Sequence, residues 1–527
     1  MTAHRAVERV ETGTAPDKPF GWRFTGPLMM GSTLNPINSS MMATALVGIG
    51  VDFHRGPQST AMLISVLYLC SAVMQPTMGK LARIFGDRRV FISGLLILVA
   101  AGVIGALAPA FGFLVLSRAL IGVGTSAAYP TAMSLVRKRA DSVGIGVPTR
   151  VLGGFSIAAQ VIAVVGLPVG GVLTGVFGWR AVFLVNIPVA VLTLVWVLRS
   201  VPRDPPVTFG GPRALMRTAD VVGIVLFAGA VVSALCLLSD LASPTWWLIP
   251  GVAVTIVLLV WWERRAARPL IDVRMLAGNA PLVRTYLRQA LAALGSYAAM
   301  YGISQWMEGA AGYDASQVGL ILIPLSAVSI VVARINSTHG WVRVPLILTG
   351  AGLAASGVLA VTIDSGSAIW VLVLMSVLFG LANGLSGFAN QATLYAQSPP
   401  ETIGVASGLY RTFAYFGAIF SSSLIGLAFG AHATDSGLHV VGWVVVGIGV
   451  ALMVMTVADR QVPRVVGWRP PFESSNTCSI NSRGGMGPGA TDVVGDGASA
   501  LRSCTGRRPT GRGVRSRRQL RRTRRRW

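Results

Sequence analysis

This sequence predicts an all-α integral membrane protein: two six-helix bundles with two additional central helices, fourteen spans in total, and both termini in the cytoplasm. Three observations predict the spans and their orientation: a shortage of charge, a series of long apolar runs, and an alternation of basic residues between those runs; a faint internal repeat divides the spans into two bundles. Hydrophobic residues make up 53% of the 527 residues and charged ones only 12%, whereas soluble domains carry roughly 25% charged residues. So few charges cannot cover a water-facing surface, but a lipid-facing surface needs none.

A hydrocarbon core takes about 20 predominantly apolar residues per helix. Runs of that kind lie at 27–50, 59–79, 90–110, 113–136, 151–176, 181–199 and 219–239. Further runs follow at 245–262, 283–304, 315–334, 343–363, 367–392, 404–430 and 438–458. Many contain Gly or Pro, which membrane helices tolerate because neighbouring helices satisfy the freed backbone groups. The expected organisation is an N-terminal tail at 1–26, a first bundle at 27–199, and a linker at 200–282 that holds the spans 219–239 and 245–262. A second bundle at 283–460 and a disordered Arg-rich cytoplasmic tail at 461–527 complete it.

Charge tests the count. Loops after even-numbered runs carry Lys80, Arg83, Arg88 and Arg89, then Arg137, Lys138, Arg139 and Arg150, then Arg199 to Arg217, Arg264 to Arg274, and Arg343. The opposite loops hold mostly acids: Asp52, Asp240, Glu308, Asp314, Asp364 and Asp435, with His54, Arg55 and Arg180. Basic loops mark the cytoplasmic side, and a wrongly merged or split run would break the alternation. Fourteen spans therefore fit better than twelve.

The formal net charge of +24 is concentrated: twelve arginines fall between Arg502 and Arg526. That segment and the Gly-rich stretch before it cannot bury a core. Adhesion to anionic lipid headgroups is the functional reading of the tail; nucleic-acid binding would leave the rest of the chain unexplained, so no nucleic-acid partner is expected. Cys70, Cys236, Cys478 and Cys504 show no ligand-like spacing, so neither metal nor disulfide is expected. The first twenty residues lack an apolar stretch, so no cleavable leader is expected. No phosphate loop of the form GxxxxGK followed by Ser or Thr is present, and no cofactor is expected. The stretch from Leu120 (LIGVGTSAAYPTAMSL) is echoed from Leu378 (LFGLANGLSGFANQATL), and the loop from Gly79 is echoed, faintly, from Arg334 at nearly the same offset. This maps runs 1–6 onto 9–14 and places any binding site where the two halves meet.

The loop GKLARIFGDRRV, Gly79 to Val90, resembles the signature loop of the major facilitator superfamily. The resemblance implies close helix approach at Gly79, a turn at Gly86, and Arg88 and Arg89 at the membrane surface. The family's latch acid sits at the position of Arg83, whereas this sequence carries its acid at Asp87, four residues on, so the two are expected to be exchanged. RALIGVG, Arg118 to Gly124, resembles the family's RxxxGxG pattern, and GLPVGGVL, Gly166 to Leu173, resembles its antiporter pattern GPxxGG. In the latter, Gly170 and Gly171 permit tight helix contact and Pro168 bends the helix; Leu167 separates the usual Gly-Pro pair. GWRAVFLVNIP from Gly178 and WWERRAARPLIDVRML from Trp261 resemble the fourteen-span drug:proton antiporter branch.

Helical spacing marks candidate cavity faces. Asn35, Asn38 and Met42 share one in run 1; Tyr301, Gln305 and Glu308 share one in run 9, beside Trp306; Asn383 and Asn390 lie two turns apart; Arg411 and Tyr415 lie four apart. The asparagines serve equally well as glue between helices. Arg118 and Arg411 are costlier to bury, about 2.5–3.5 kcal/mol each on insertion scales, and so point to a cavity or partner. No acid lies near the centre of any run, which leaves Glu308 as the candidate for proton coupling and suits the cavity to anionic or amphiphilic cargo. The resemblance implies a monomeric plasma-membrane transporter, working by alternating access, that exchanges protons for a small amphiphilic drug or secondary metabolite. A symporter or uniporter of a metabolite is the alternative. A membrane-embedded lipid-handling enzyme would need clustered His or acids, yet the five histidines are scattered singly.

Overall fold

The computed structural model describes residues 19–55, 57–206, 218–239, 248–313, 315–430 and 432–465. The tail beyond 465, most of the N-terminal tail and Asp314 lie outside the described residues, as does the side chain of Pro168. The first half carries α1 (Trp22–Asp52), α2 (Pro57–Phe85), α3 (Asp87–Ala106), α4 (Phe111–Thr125), α5 (Ala128–Ser142), α6 (Thr149–Phe177), α7 (Arg180–Leu184) and α8 (Asn186–Ser200). Then come α9 (Val221–Ser239), α10 (Leu248–Glu263) and the short α11 (Val273–Gly278). The second half carries α12 (Ala280–Gly309), α13 (Ala315–His339), α14 (Arg343–Thr362), α15 (Ile369–Gln397), α16 (Ile403–Phe429) and α17 (Asp435–Ala458). Among the described residues β-structure amounts to one bridge, Trp341 to Val465.

Nine helical stretches among the described residues are long and apolar enough to cross a membrane. The apolar helices α9 and α10 are shorter, while α1, α6 and α12 run for 31, 29 and 30 residues.

Two runs that read as single spans are broken, each by a proline. Pro130 has no N–H and its ring crowds the carbonyl of Ser126 four residues back, so the helix turns at Ser126–Ala127 between α4 and α5. Pro188 acts in the same way on Leu184, and α7 gives way to α8 at Val185. The start of α12 was legible as chemistry: the Asn279 side chain accepts from the amide of Leu282 at 3.2 Å, satisfying an end donor the helix cannot.

Packing repeats between the halves. In the first, α1 packs on α6, α2 on α4, and α3 on α8; in the second, α12 packs on α16, α13 on α15, and α14 on α17. One apolar core, with Met42, Phe91, Phe155 and Phe183, lies mainly in the first half and reaches Phe388 and Tyr395 of α15, while the other, with Ile303, Leu353, Phe379 and Val445, lies in the second. A third cluster lies on the seam: Ala72 and Val73 of α2, Phe227 and Val231 of α9, Leu270, Tyr286 of α12, and Val405 and Leu409 of α16. The helix α9 therefore packs on both α2 and α16, one helix from each half.

Candidate functional site

The seam carries a hydrogen-bonded cluster midway along the helices. Asn35 of α1 donates to Ser71 of α2 at 2.8 Å and to Thr125 of α4 at 2.9 Å. Its side-chain oxygen accepts from the Tyr415 hydroxyl of α16 at 3.0 Å, and that hydroxyl in turn accepts from Gln75 of α2 at 2.8 Å. Four helices thus converge on one asparagine, Asn35. In surroundings that offer no water, each unsatisfied polar group costs several kcal/mol, so the cluster holds together unless a ligand supplies substitutes.

Aromatic rings line the same seam. The Tyr68 ring lies 5.5 Å from that of Tyr415, and Tyr297 stacks on Tyr301 at 5.6 Å. The Arg411 guanidinium sits 4.2 Å from the centre of the Tyr129 ring, a favourable cation–π geometry. Arg411 and Arg118 make no ion pair with an acid among the described residues, and each keeps one buried nitrogen without a hydrogen-bond partner. Arg118 is fully buried in the first half, donating to the carbonyls of Leu63 at 3.0 Å and Asn38 at 3.4 Å.

The structure distributes the other candidates unevenly. Asn38 is spent inside the first half, donating to Asn186 at 2.6 Å. Tyr301, Gln305 and Glu308 are exposed along one face of α12, but the adjacent Trp306 turns into the second half's core and donates to Asp435 at 2.7 Å. Asn383 donates to Phe379 and Asn390 to Ser386, both within α15, and the buried Asn390 oxygen has no partner. In the antiporter-like segment, Gly166 packs on Ser40 and Gly170 on Met41 and Thr44, joining α6 to α1; Gly171 faces open space. Sequence reasoning missed Tyr68, Ser71, Gln75, Thr125, Tyr129 and Tyr297. Tyr68, Ser71 and Gln75 at i, i+3 and i+7 form one polar face of α2, a signal the sequence did contain.

In the α2–α3 loop the acid at Asp87, four residues past Arg83, takes part in an ion pair. Asp87 pairs with Lys138 of α5 at 2.6 Å and accepts from Ser134 at 2.9 Å; no ion pair joins it to the exposed Arg83. The turn at Gly86 has φ of +100°, and the carboxylate of Asp204 fills the space where a side chain would stand. That carboxylate accepts from the amides of Arg88 at 3.3 Å and Arg89 at 2.8 Å, an anion placed on the start of α3. Arg88 itself donates to the carbonyl of Leu198 at 2.9 Å.

At this same end the halves touch closely. Gly79 meets Gly404, Gly408 meets Pro76, and Thr412 donates to the carbonyl of Ala72 at 2.6 Å. Tyr395 of α15 donates to the carbonyl of Met133 of α5 at 2.8 Å. These contacts run from the middle of the helices to the end that carries the α2–α3 loop, hereafter the loop end. The loop end is closed.

Two similarly packed helical halves in a membrane, meeting around a shared polar centre and shut at one end, define a multi-pass membrane transporter. The chain belongs to the Major Facilitator Superfamily, whose family model matches residues 28–422; it is a transporter of small molecules rather than an enzyme. It is similar to an uncharacterized MFS-type transporter of Bacillus subtilis, YwoD, with 34% identity over 82% of this chain and 96% of that protein. The multidrug transporter protein MdtP of the same organism is 24% identical over 77% of this chain and 75% of its own. Among solved structures, the human organic anion transporter MFSD10 shares the fold, with a TM-score of 0.59 at 13% identity, covering 84% of this chain and 100% of that one.

Proposed function

We propose that this protein exports small amphiphilic compounds, drugs or secondary metabolites, across the plasma membrane in exchange for protons. It works by alternating access, as a fourteen-span monomer with both termini in the cytoplasm, so that the loop end faces the cytoplasm. The observation that carries this reading is the cluster at Tyr415: polar and aromatic groups from both halves meet midway along the helices, where a cargo would replace one set of contacts with another as the halves rock. The two guanidiniums without acid partners favour cargo with an anionic or hydrogen-bond-accepting end, and the tyrosine rings suit an apolar body. Kinship with a multidrug transporter supports the drug class of substrate. Glu308 is the candidate carrier of the exchanged proton.

Uptake into inverted membrane vesicles under an imposed pH gradient, with a panel of cationic, neutral and anionic compounds, tests it. Gradient-driven accumulation of amphiphiles is expected. Accumulation that ignores the gradient would favour a uniporter of a metabolite, a reading that gains from the absence of any carboxylate in the Tyr415 cluster.

A further inference from the structure

Three charged side chains meet where α9, with α10 packed on it, docks against the loop end of α2. Lys80 of α2 approaches Asp220, at the entry to α9, at 3.7 Å and donates to the carbonyl of Arg268 at 2.5 Å. Asp220 is fully provided for: it accepts from Trp262 at 2.7 Å, from the amide of Leu270 at 2.9 Å and from the amide of Gly223 at 3.1 Å. Glu263, the last residue of α10, is buried beside it; both carboxylates crowd the space next to Gly223. Neither Glu263 oxygen has a well-formed hydrogen bond. The amides of Leu270 and Ile271 approach it, but that of Leu270 is committed to Asp220.

Two buried carboxylates thus share one ammonium, and the better-bonded one holds it. A second negative charge in that position has neither water nor a cation of its own. Among the described residues the remaining charged groups nearby are Arg83 of α2, and Arg264, Arg265, Arg268 and Asp272 of the segment after α10. Arg83, Arg264, Arg265 and Arg268 are exposed, and Asp272 caps α11 by accepting from Met275 at 2.9 Å. Beside Lys80 a cavity of about 380 Å³ separates this cluster from Tyr286 of α12 and Val405 and Leu409 of α16. Because α9 rests on both α2 and α16, parting those two helices at the loop end must unseat it from one and admit water to Glu263.

We propose that Glu263 takes up a proton as the loop end closes and returns it to water on the same side as that end opens. The inference rests on the transport reading only for the existence of an open state; it requires no particular cargo and no proton crossing the membrane. Glu263 lies past the apolar run at 245–262, and burial first, then Asp220, pushes its carboxyl up to about 7 from an ordinary 4.5. The sign follows: between those values the closed form holds more protons than the open one. Closure is therefore favoured at low pH and weakens as pH rises towards 7, by up to about tenfold in the closed-to-open ratio per pH unit.

The test places spin labels at the exposed positions 141 and 401, one in each half at the loop end, in full-length protein reconstituted in lipid nanodiscs with its native cysteines replaced by serine. The distance distribution is followed from pH 5 to 8. The short-distance population is expected to fall with rising pH in the otherwise unaltered protein, to become pH-independent and predominantly short in Glu263→Gln, and to titrate again in Glu263→Asp. An unaltered protein that does not respond to pH, or a Glu263→Gln variant with an unchanged profile, overturns the proposal. Should Glu263→Gln fail to fold, Glu263→Ala replaces it, and a pH profile there identical to that of the unaltered protein is equally fatal. A normal titration in a protein that transports nothing in vesicles would sink the function proposed above and leave this one standing.

Discussion

Gly79 of α2 and Gly404 of α16 meet backbone to backbone, but the contact is lopsided. A Cβ on Gly79 would come within 2.5 Å of the Gly404 carbonyl, whereas one on Gly404 would lie 3.4 Å from the Gly79 carbonyl oxygen, an ordinary contact. The loop end closes on this pair, so the two positions should tolerate substitution differently.

Gly79→Leu should oppose closure by about 1–3 kcal/mol, the usual cost of overpacking, and slow transport about tenfold or more. Gly404→Ala should leave transport nearly unchanged. Vesicle uptake measured side by side separates them, and equal effects at both sites would refute the contact.

Tyr415 and Asn35 bond across the seam, so their substitutions should not add. A cycle of Tyr415→Phe and Asn35→Ala in thermal unfolding should give a coupling of about 0.5–2 kcal/mol. Additive losses would mean that the two halves are not linked there.

Arg411, held against Tyr129 without an acid, should matter most for anionic cargo. Arg411→Gln should weaken binding of an anionic amphiphile about tenfold or more, since hydrogen bonds to charged groups contribute about 1.5–3 kcal/mol. A neutral analogue should lose much less. Equal losses for both in a binding assay would assign Arg411 a packing role.

Glu308 is exposed at the end of α12 that is remote from the loop end. If it carries the exchanged proton, Glu308→Gln abolishes gradient-driven uptake and spares counterflow of substrate. Unchanged driven uptake removes Glu308 from the cycle and leaves the coupling group elsewhere.

Asp459, fully buried, is paired with the buried Arg288 at 3.0 Å and with the partly exposed Arg284 at 3.0 Å. Asp459 keeps one arginine in either variant, but Arg288 is the fully buried partner, so its removal also leaves a cavity in packed surroundings. Arg288→Ala should therefore lower the unfolding temperature far more than Arg284→Ala. Similar shifts in a thermal melt would contradict the burial.

The sequence by itself determined the membrane class, the all-helical build and the family, because lipid imposes a length and an apolarity that are written residue by residue. It also marked Asn35, Arg411 and Tyr415, through the cost of placing polar groups in apolar runs. It could not say which of these meet. Asn35 and Tyr415 are separated by most of the chain, and helical periodicity gives the face a residue shares but not the helix opposite. For the same reason the spacing that grouped Asn35 with Asn38 hid their different fates, one on the seam and one consumed by Asn186. At closer range, Arg83 and Asp87 look exchanged in sequence, but only packing names the partner that Asp87 takes, Lys138, brought by α5. Most of all, Glu263 stands in the sequence only as the acid of WWERRAARPLIDVRML, next to two arginines. Only the packing of α10 on α9, and of α9 on α2, buries it beside Asp220, since desolvation belongs to neighbours distant in sequence and is fixed only when the helices pack.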